Sequence, residues 1–316
     1  MSKPDVLQVG AYSSWDEEAL AEHFTMHRLF EVPDAEKAAF IAERADRLHA
    51  VATRGELIVD QAFMEALPNL KIVSVYGVGY DGVDVEAAKS RNVRVTNTPD
   101  VLTAEVADFG VAMLLAAARG IVGGDQWVRS GNWASQGAFA LQKPVHSKKL
   151  GIIGLGRIGK AIAKRCAAFD MEIAYTNRSQ AADVDWRFEP DPVKLAEWAD
   201  YVVVMLPGGP ATRHVVSKQV INAIGPDGML VNVSRGSTVD EEALIDALKS
   251  GRLGSAALDV FENEPNIDTR FFDLPNVLLQ PHQGSATLET RKAMGQLMIN
   301  NLRAHFAGKD LLTPVV

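Results

Sequence analysis

Three side chains in the second half of the sequence are of types that cooperate in proton and hydride chemistry. Arg235 stands in VNVSRGSTVDEEAL, Glu264 in AALDVFENEP and His282 in LLQPHQGSAT. Each follows closely on a β-rich apolar run. In open α/β sheets ligands bind outside the carboxyl ends of the strands, so the three are expected to serve one cleft. A guanidinium grips a carboxylate through two parallel hydrogen bonds. An imidazolium gives up a proton near neutral pH. A carboxylate beside the imidazole fixes its orientation and favours its charged form. The set suits reduction of a 2-keto acid: the arginine anchors the acid and the histidine protonates the carbonyl oxygen as hydride reaches its carbon. Singly, each residue also has a structural reading, as a core histidine or a solvated glutamate before Pro265. The shared position at strand ends selects the chemical one. His146 and His214 lack such company and are read as non-catalytic.

A hydride needs a carrier, and LGIIGLGRIGKAIAKRCAAFDMEIAYTNRS, residues 150–179, reads as its site. Gly154, Gly156 and Gly159 form GxGxxG between a strand and a helix. Such glycines serve a tight turn, close approach of a pyrophosphate and close helix–sheet packing. The helix N-terminus offers free N–H groups to the anion. An NAD site places a carboxylate about 20 residues on, for the ribose 2′-hydroxyl. Here the next strand runs into Asn177, Arg178 and Ser179. A cation and two hydrogen-bonding side chains suit a 2′-phosphate instead, so NADP(H) is preferred and NAD(H) remains possible. In the first half, YGVGYDGVD follows the strand KIVSV, and the N–H groups of Val78 and Gly79 could cradle a substrate carboxylate. Asp84 there is placed to cap the next helix.

The elements that must carry these groups alternate in type. DVLQVG, LHAVATRG and KIVSVYGVG read as strands, with WDEEALAEHF, DAEKAAFIAERA and VDVEAAKSRN as helices between or after them. RVTN is a further short strand, and a long helix covers Val101 to Arg119. From Lys148 the pattern restarts with LGIIG, MEIAYT, YVVVMLP, GMLVNVS, GSAALDV and NVLLQP. Such alternation predicts an α/β protein of two doubly wound parallel-sheet domains. The last helix, about Thr287 to Ala307, could pack back on the first domain and make it discontinuous. Residues 119–146, with Trp127, Trp133 and Phe139, show little periodicity. A segment that long is usually functional or an interface.

The chain has 316 residues, 47% of them hydrophobic, enough for about two domains. Its net charge of −8 argues against a nucleic-acid partner, which needs a basic face. The longest apolar stretch, Val111 to Ala118, is far short of a membrane span, and no signal-peptide core opens the sequence. Cys166 is the single cysteine, so no thiolate metal cluster or internal disulfide is expected, and no metal site is read elsewhere. These features predict a soluble, cytoplasmic, globular protein.

GLGRIGKAIA, VNVSRGSTVDEEAL, ALDVFENEP and QPHQGSAT together resemble the D-isomer-specific 2-hydroxyacid dehydrogenase family, over nearly the whole chain. NRS after the second strand and the ending AHFAGKDLLTPVV are most similar to its NADPH-dependent glyoxylate/hydroxypyruvate and hydroxyphenylpyruvate reductases. The resemblance implies a flavodoxin-like substrate domain, residues 1–97 and 286–316, and a Rossmann-type cofactor domain, residues 98–285, with the active site between them. It gives Arg235 the anchoring role, Glu264 that of acid partner and His282 that of proton donor. Formate dehydrogenases of the family carry Gln at the glutamate position, so Glu264 points away from formate oxidation. The implied cofactor contacts are Leu155, Gly156, Arg157 and Ile158, Asn177 to Ser179, Val233, Ser234, Arg235, Asp259 and Gly284. Leu206, Pro207 and Thr212 are further contacts, although LPGGPATRH departs from the family's usual Leu-Thr pair. Family members dimerise through the segment matching 119–146, and Trp133 would then reach the neighbouring subunit's substrate. The expected activity is NADPH-dependent reduction of glyoxylate and hydroxypyruvate to glycolate and D-glycerate, with aryl pyruvates as further substrates. The rivals are an NAD-linked D-2-hydroxyacid dehydrogenase and a dinucleotide-sensing corepressor of the same fold.

Overall fold

The computed structural model describes residues 3–316. The chain divides into two compact units, one formed by the residues up to Leu102 together with Ala286–Val316, the other by Thr103–Ser285. Each is an α/β unit around one parallel sheet.

The first sheet contains β1 (Asp5–Gln8), β2 (Thr25–Arg28), β3 (Ala50–Arg54), β4 (Ile72–Tyr76) and β5 (Arg94–Thr96), in the order β2-β1-β3-β4-β5. All five residues of β4, IVSVY, are buried. A parallel sheet covered on both faces needs such unbroken apolar runs, because no side of the strand meets water. Leu7, Val51, Val73, Val75 and Val95 pack against Met64 and Leu67 on one side. The helix Leu288–Phe306 returns to this unit, where the Ser74 hydroxyl donates to Met298 O at 3.2 Å and the Tyr76 hydroxyl to Arg291 O at 2.9 Å.

The second sheet contains β6 (Lys149–Ile153), β7 (Glu172–Thr176), β8 (Arg187–Phe188), β9 (Tyr201–Val204), β10 (Met229–Asn232), β11 (Ser255–Leu258) and β12 (Val277–Leu279). Their order is β12-β11-β10-β9-β6-β7-β8, and all pairings between these strands are parallel. The order in which strands are added reverses between β6 and β9, which puts the turn after β6 at the topological switch point. One face is covered by Leu195, Val220, Ile221 and Leu244, the other by Leu114, Ile162, Ala163 and Val111. The helix Thr103–Ala118 belongs to the second face; Gly110 lets it approach Ile162 and Val233, whose side chains would lie 3.2 and 3.3 Å from a Cβ there.

Two strands escape the sequence reading. TMHR and RF, β2 and β8, lie at sheet edges with mixed exposure, so neither shows a buried apolar run. The weakly periodic stretch 119–146 contains two helices, Ile121–Arg129 and Asn132–Gln136. No residue of either is buried, so no apolar stripe against their own unit marked them. Among the described residues, no single helix is long and apolar enough to cross a membrane.

Candidate active site

The turn after β6 is shaped by its glycines. Gly154 has φ of 104°, and a Cβ there would stand 2.3 Å from Met205 O. A Cβ on Gly159 would meet Gly154 O at the same distance, which is how the helix Arg157–Ala167 comes so close to the strand. Gly156 is different: nothing lies within 4 Å of its missing Cβ. It opens the helix, and no side chain caps the amides there. Open space over a glycine at an uncapped helix N-terminus fits the pyrophosphate of a dinucleotide, since the first N–H groups need an acceptor. Leu155 and Gly159 are buried, Ile158 half-buried, and Arg157 exposed.

Asn177, Arg178 and Ser179 follow β7 directly. The Asn177 side chain turns inward, and its Oδ1 accepts from Leu155 N at 2.7 Å. Arg178 and Ser179 are exposed beside it. No carboxylate stands among the three, so nothing there repels a 2′-phosphate. On the neighbouring strand end, Leu206 Cδ2 would lie 2.9 Å from a Cβ on Gly154. Thr212 closes its own loop by donating to Pro207 O at 2.7 Å.

Arg235 is aimed by the end of β10. Asn232 Nδ2 donates to Arg235 O at 3.0 Å and Thr238 Oγ1 to the same oxygen at 2.6 Å. Asn232 Oδ1 accepts from Ser234 N and Oγ, at 3.1 and 2.8 Å. Val233 and Ser234 are buried, which leaves Arg235 as the half-buried side chain of that turn. Its Nη1 donates to Ser234 O at 2.7 Å. Gly236 presses on the next loop so tightly that a Cβ would meet the Phe261 carbonyl carbon at 1.9 Å. The loops after β10 and β11 are therefore fixed to each other.

Glu264 and His282 meet. His282 Nδ1 lies 2.6 Å from Glu264 Oε2, and Glu264 Oε1 accepts from Phe261 N at 2.8 Å. An ionised glutamate only accepts, so Nδ1 carries the hydrogen and Nε2 is the ring nitrogen not engaged by Glu264. Burial by itself would raise the Glu264 carboxyl. The hydrogen bond and charge of His282, the Phe261 amide and the Arg235 guanidinium outweigh it and hold the carboxyl below its ordinary value. His282 has φ of 54°, in the left-handed region that few non-glycine residues occupy. Asp259 holds it there. His282 N donates to Asp259 O at 2.9 Å, while Gln283 N and Gly284 N donate to the two carboxylate oxygens at 2.6 and 2.9 Å. Asp259 is 1% exposed, and burial raises its carboxyl against those two amides. Gly284 lies under the same carboxylate.

In the first unit, the turn after β4 is braced from one side. Gly77 N donates to Thr98 Oγ1 at 3.0 Å, and Asn97 Nδ2 donates to Val78 O at 2.8 Å. The N–H groups of Val78 and Gly79 make no hydrogen bond among the described residues, and both residues are half-buried. Two adjacent unpaired amides are free to donate to an anion. Asp84 caps the helix Val85–Ser90 by accepting from Ala87 N at 2.9 Å.

Trp133 is 65% exposed on Asn132–Gln136, with Ile121, Val122, Val128 and Leu141 also exposed nearby in sequence. His214 pairs with Glu262, at 2.7 Å, rather than with any of the three chemical residues. Sequence reasoning missed Asn232 and Thr238. The signal was present: an Asn ending a strand three residues before the Arg is a turn builder.

The model of a family described as D-isomer specific 2-hydroxyacid dehydrogenase, NAD binding domain, matches residues 111–284. The chain is 46% identical to glyoxylate/hydroxypyruvate reductase A of Arabidopsis thaliana, with all of both chains covered. It is 42% identical to the 2-ketogluconate reductase of Gluconobacter oxydans, over 100% of this chain and 99% of that one. Among solved structures, the NADPH-dependent glyoxylate/hydroxypyruvate reductase of Sinorhizobium meliloti, in complex with NADP and malonate, superimposes with a TM-score of 0.91. The two are 41% identical, over 100% of this chain and 97% of the other.

Proposed function

Because this chain belongs to the D-isomer specific 2-hydroxyacid dehydrogenase family, we propose that it reduces small 2-keto acids with NADPH, glyoxylate and hydroxypyruvate foremost. The observation that carries the chemistry is the 2.6 Å contact of His282 Nδ1 with Glu264 Oε2. NADPH, when bound, supplies the hydride. The chain's residues do the rest. The amides at Gly156 to Ile158 hold the pyrophosphate, Arg178 and Ser179 the 2′-phosphate, and Asn177 keeps the turn in shape. Leu155, Leu206, Pro207, Thr212, Val233 and Ser234 line the remaining length of the cofactor.

Arg235 takes the substrate carboxylate by two parallel hydrogen bonds. In the first unit, the unpaired Val78 and Gly79 amides are donors for an anion. His282 enters as imidazolium and gives its Nε2 proton to the carbonyl oxygen while the carbonyl carbon gains the hydride. The product is the 2-hydroxy acid, and the imidazole is left neutral. Glu264 fixes the ring through its contact with Nδ1. Asp259 holds the left-handed turn that presents it.

The exposed apolar side chains of 119–146 support a symmetric homodimer through that segment, with Trp133 serving the neighbouring copy's site. Cys166 is buried and its thiol pushed up to about 12 by burial, so it is inert; a reducing cytoplasm suits the chain. Rates of NADPH and NADH oxidation with glyoxylate, hydroxypyruvate, pyruvate and phenylpyruvate test the proposal. Turnover of none of the four, with either cofactor, overturns it.

A further inference from the structure

Arg178 and Ser179 take the 2′-phosphate in the reading above, yet both are exposed, as is Gln180 after them. Exposed loop residues are usually mobile. A mobile guanidinium loses affinity through the entropy of being ordered when its anion arrives. The residues on either side of this span are held in place, and by different elements. Upstream, Thr176 O accepts from Gly154 N at 3.0 Å and Asn177 Oδ1 from Leu155 N at 2.7 Å, so the span starts from the glycine turn. Downstream, Ala181 N donates to the Tyr175 hydroxyl at 2.9 Å.

Tyr175 is the last residue but one of β7, and its side chain is fully buried. Its ring packs on Phe188 of β8, with the centroids 5.4 Å apart. A rigid ring seated in the core thus carries one oxygen to the loop, and an amide beyond Arg178 and Ser179 donates to it. Phenylalanine would fill the same core volume; what tyrosine adds is the acceptor for Ala181 N. A second tie follows. Lys160 Nζ, from the helix Arg157–Ala167, donates to Asp183 Oδ1 and Oδ2 at 2.6 Å each. Ala181, Val184 and Trp186 pack against the core between and beyond these ties. The exposed span is therefore short and closed at both ends, as a preformed anion reader needs to be.

We propose that Tyr175 is a positioning residue for cofactor choice: its hydroxyl, with the Lys160–Asp183 pair as a second tie, holds Arg178 and Ser179 in the shape that reads a 2′-phosphate. This rests on the NADPH reading above and adds to it residues that touch no cofactor. An adenosine without the 2′-phosphate makes no demand on the span, so the effect falls on one cofactor only.

The test is calorimetric binding of adenosine 2′,5′-bisphosphate and of AMP to the full-length protein, as wild type, Tyr175→Phe and Asp183→Asn. NADPH and NADH kinetics on hydroxypyruvate accompany it. Tyr175→Phe deletes one oxygen, and an exposed ion pair adds little to stability, so both variants should fold; thermal midpoints verify this. Tyr175→Phe should weaken the bisphosphate by about three- to tenfold, the worth of one net hydrogen bond, and leave AMP unchanged. Asp183→Asn should act in the same sense, by less. In kinetics the loss should appear in KM for NADPH, with kcat and the KM for hydroxypyruvate kept. Equal losses for the bisphosphate and AMP overturn the proposal, since they report a general fault of the fold. So does tighter bisphosphate binding in Asp183→Asn, which would mean that a released Lys160 reads the phosphate itself. A wild type that prefers the bisphosphate, with that preference intact in Tyr175→Phe, overturns this proposal alone. A wild type that binds both equally overturns the 2′-phosphate reading and this proposal with it.

Discussion

Asn177 Oδ1 accepts the Leu155 N–H, so the side chain at the end of β7 is tied to the glycine turn after β6. An amide in that position holds the turn without adding charge. Asn177→Asp keeps an acceptor for Leu155 N but sets a carboxylate where a 2′-phosphate would come. The expected outcome is a fall in kcat/KM for NADPH and a relative gain for NADH. Asn177→Ala should instead weaken both cofactors, because the turn loses its tie. Steady-state kinetics with both cofactors separate the cases; an unchanged ratio in Asn177→Asp would remove residue 177 from cofactor choice.

Arg178 is the exposed neighbour and the one cation of that trio. Arg178→Ala should weaken NADPH binding by about 1.5–3 kcal/mol, the range for a charge-assisted contact, and leave NADH nearly untouched. Titration of nicotinamide fluorescence gives both dissociation constants. Equal losses would show that Arg178 does not read the 2′-phosphate.

The contrast between these two residues shows what the sequence could and could not tell. The fold was legible because central parallel strands such as YVVV and MLVN must be apolar at every position. The residue types of the site were legible from GxGxxG and from charged side chains after strands. Which way Asn177 turns was not, because that depends on a backbone N–H brought from β6, another strand. The same holds for Asp259, read from the family resemblance as a cofactor contact. In the structure both its carboxylate oxygens accept amides of the turn after β12, a pairing between distant segments. The helix Ile121–Arg129 was illegible for another reason: none of its residues is buried in its own unit.

Asp16 is 3% exposed and packs on Gly295, where a Cβ would stand 1.8 Å from its Oδ1. Burial, followed by the charge of Glu17, raises its carboxyl to about 6. A raised folded value means the folded state holds the proton more tightly than the unfolded chain. Asp16 therefore supports folding below the ordinary aspartate range, and that support is lost as pH rises through about 6. Asp16→Asn should raise the unfolding free energy above that pH by about 1–2 kcal/mol and flatten the decline between pH ~4 and ~6. Urea unfolding across this range reads it directly. A variant that tracks the wild type at every pH would contradict the assignment.

Trp133 and its apolar neighbours are exposed on helices that bury nothing in their own unit. A symmetric dimer through this segment is the expected solution state. Light scattering at micromolar concentration should give twice the chain mass. Trp133→Ala should change kcat/KM between substrates more than it changes the thermal midpoint. A monomer of full activity would rule out both the interface and the crossing tryptophan.

Glu264 and His282 form the pair on which the proposed proton transfer depends. His282→Ala should lower kcat by about 10²–10⁴, the usual range for a positioned general acid, while NADPH binding is largely kept. Arg235→Lys should also damage catalysis, since an ammonium cannot match a planar two-point contact. The Glu264 carboxyl is held below its ordinary value, where burial is outweighed by His282, the Phe261 amide and Arg235. A lowered folded value means that its contribution to stability is present above the ordinary glutamate range. That contribution is lost as pH falls from that range through the lower folded value. Glu264→Gln keeps a hydrogen-bond acceptor but removes the charge, so acid unfolding should lose this component. The same substitution should lower kcat for hydroxypyruvate reduction, because the ring that gives the proton loses the carboxylate that positions its Nδ1. If kcat and acid unfolding of Glu264→Gln both match the wild type, the contact between Glu264 and His282 serves neither the proton transfer nor the fold.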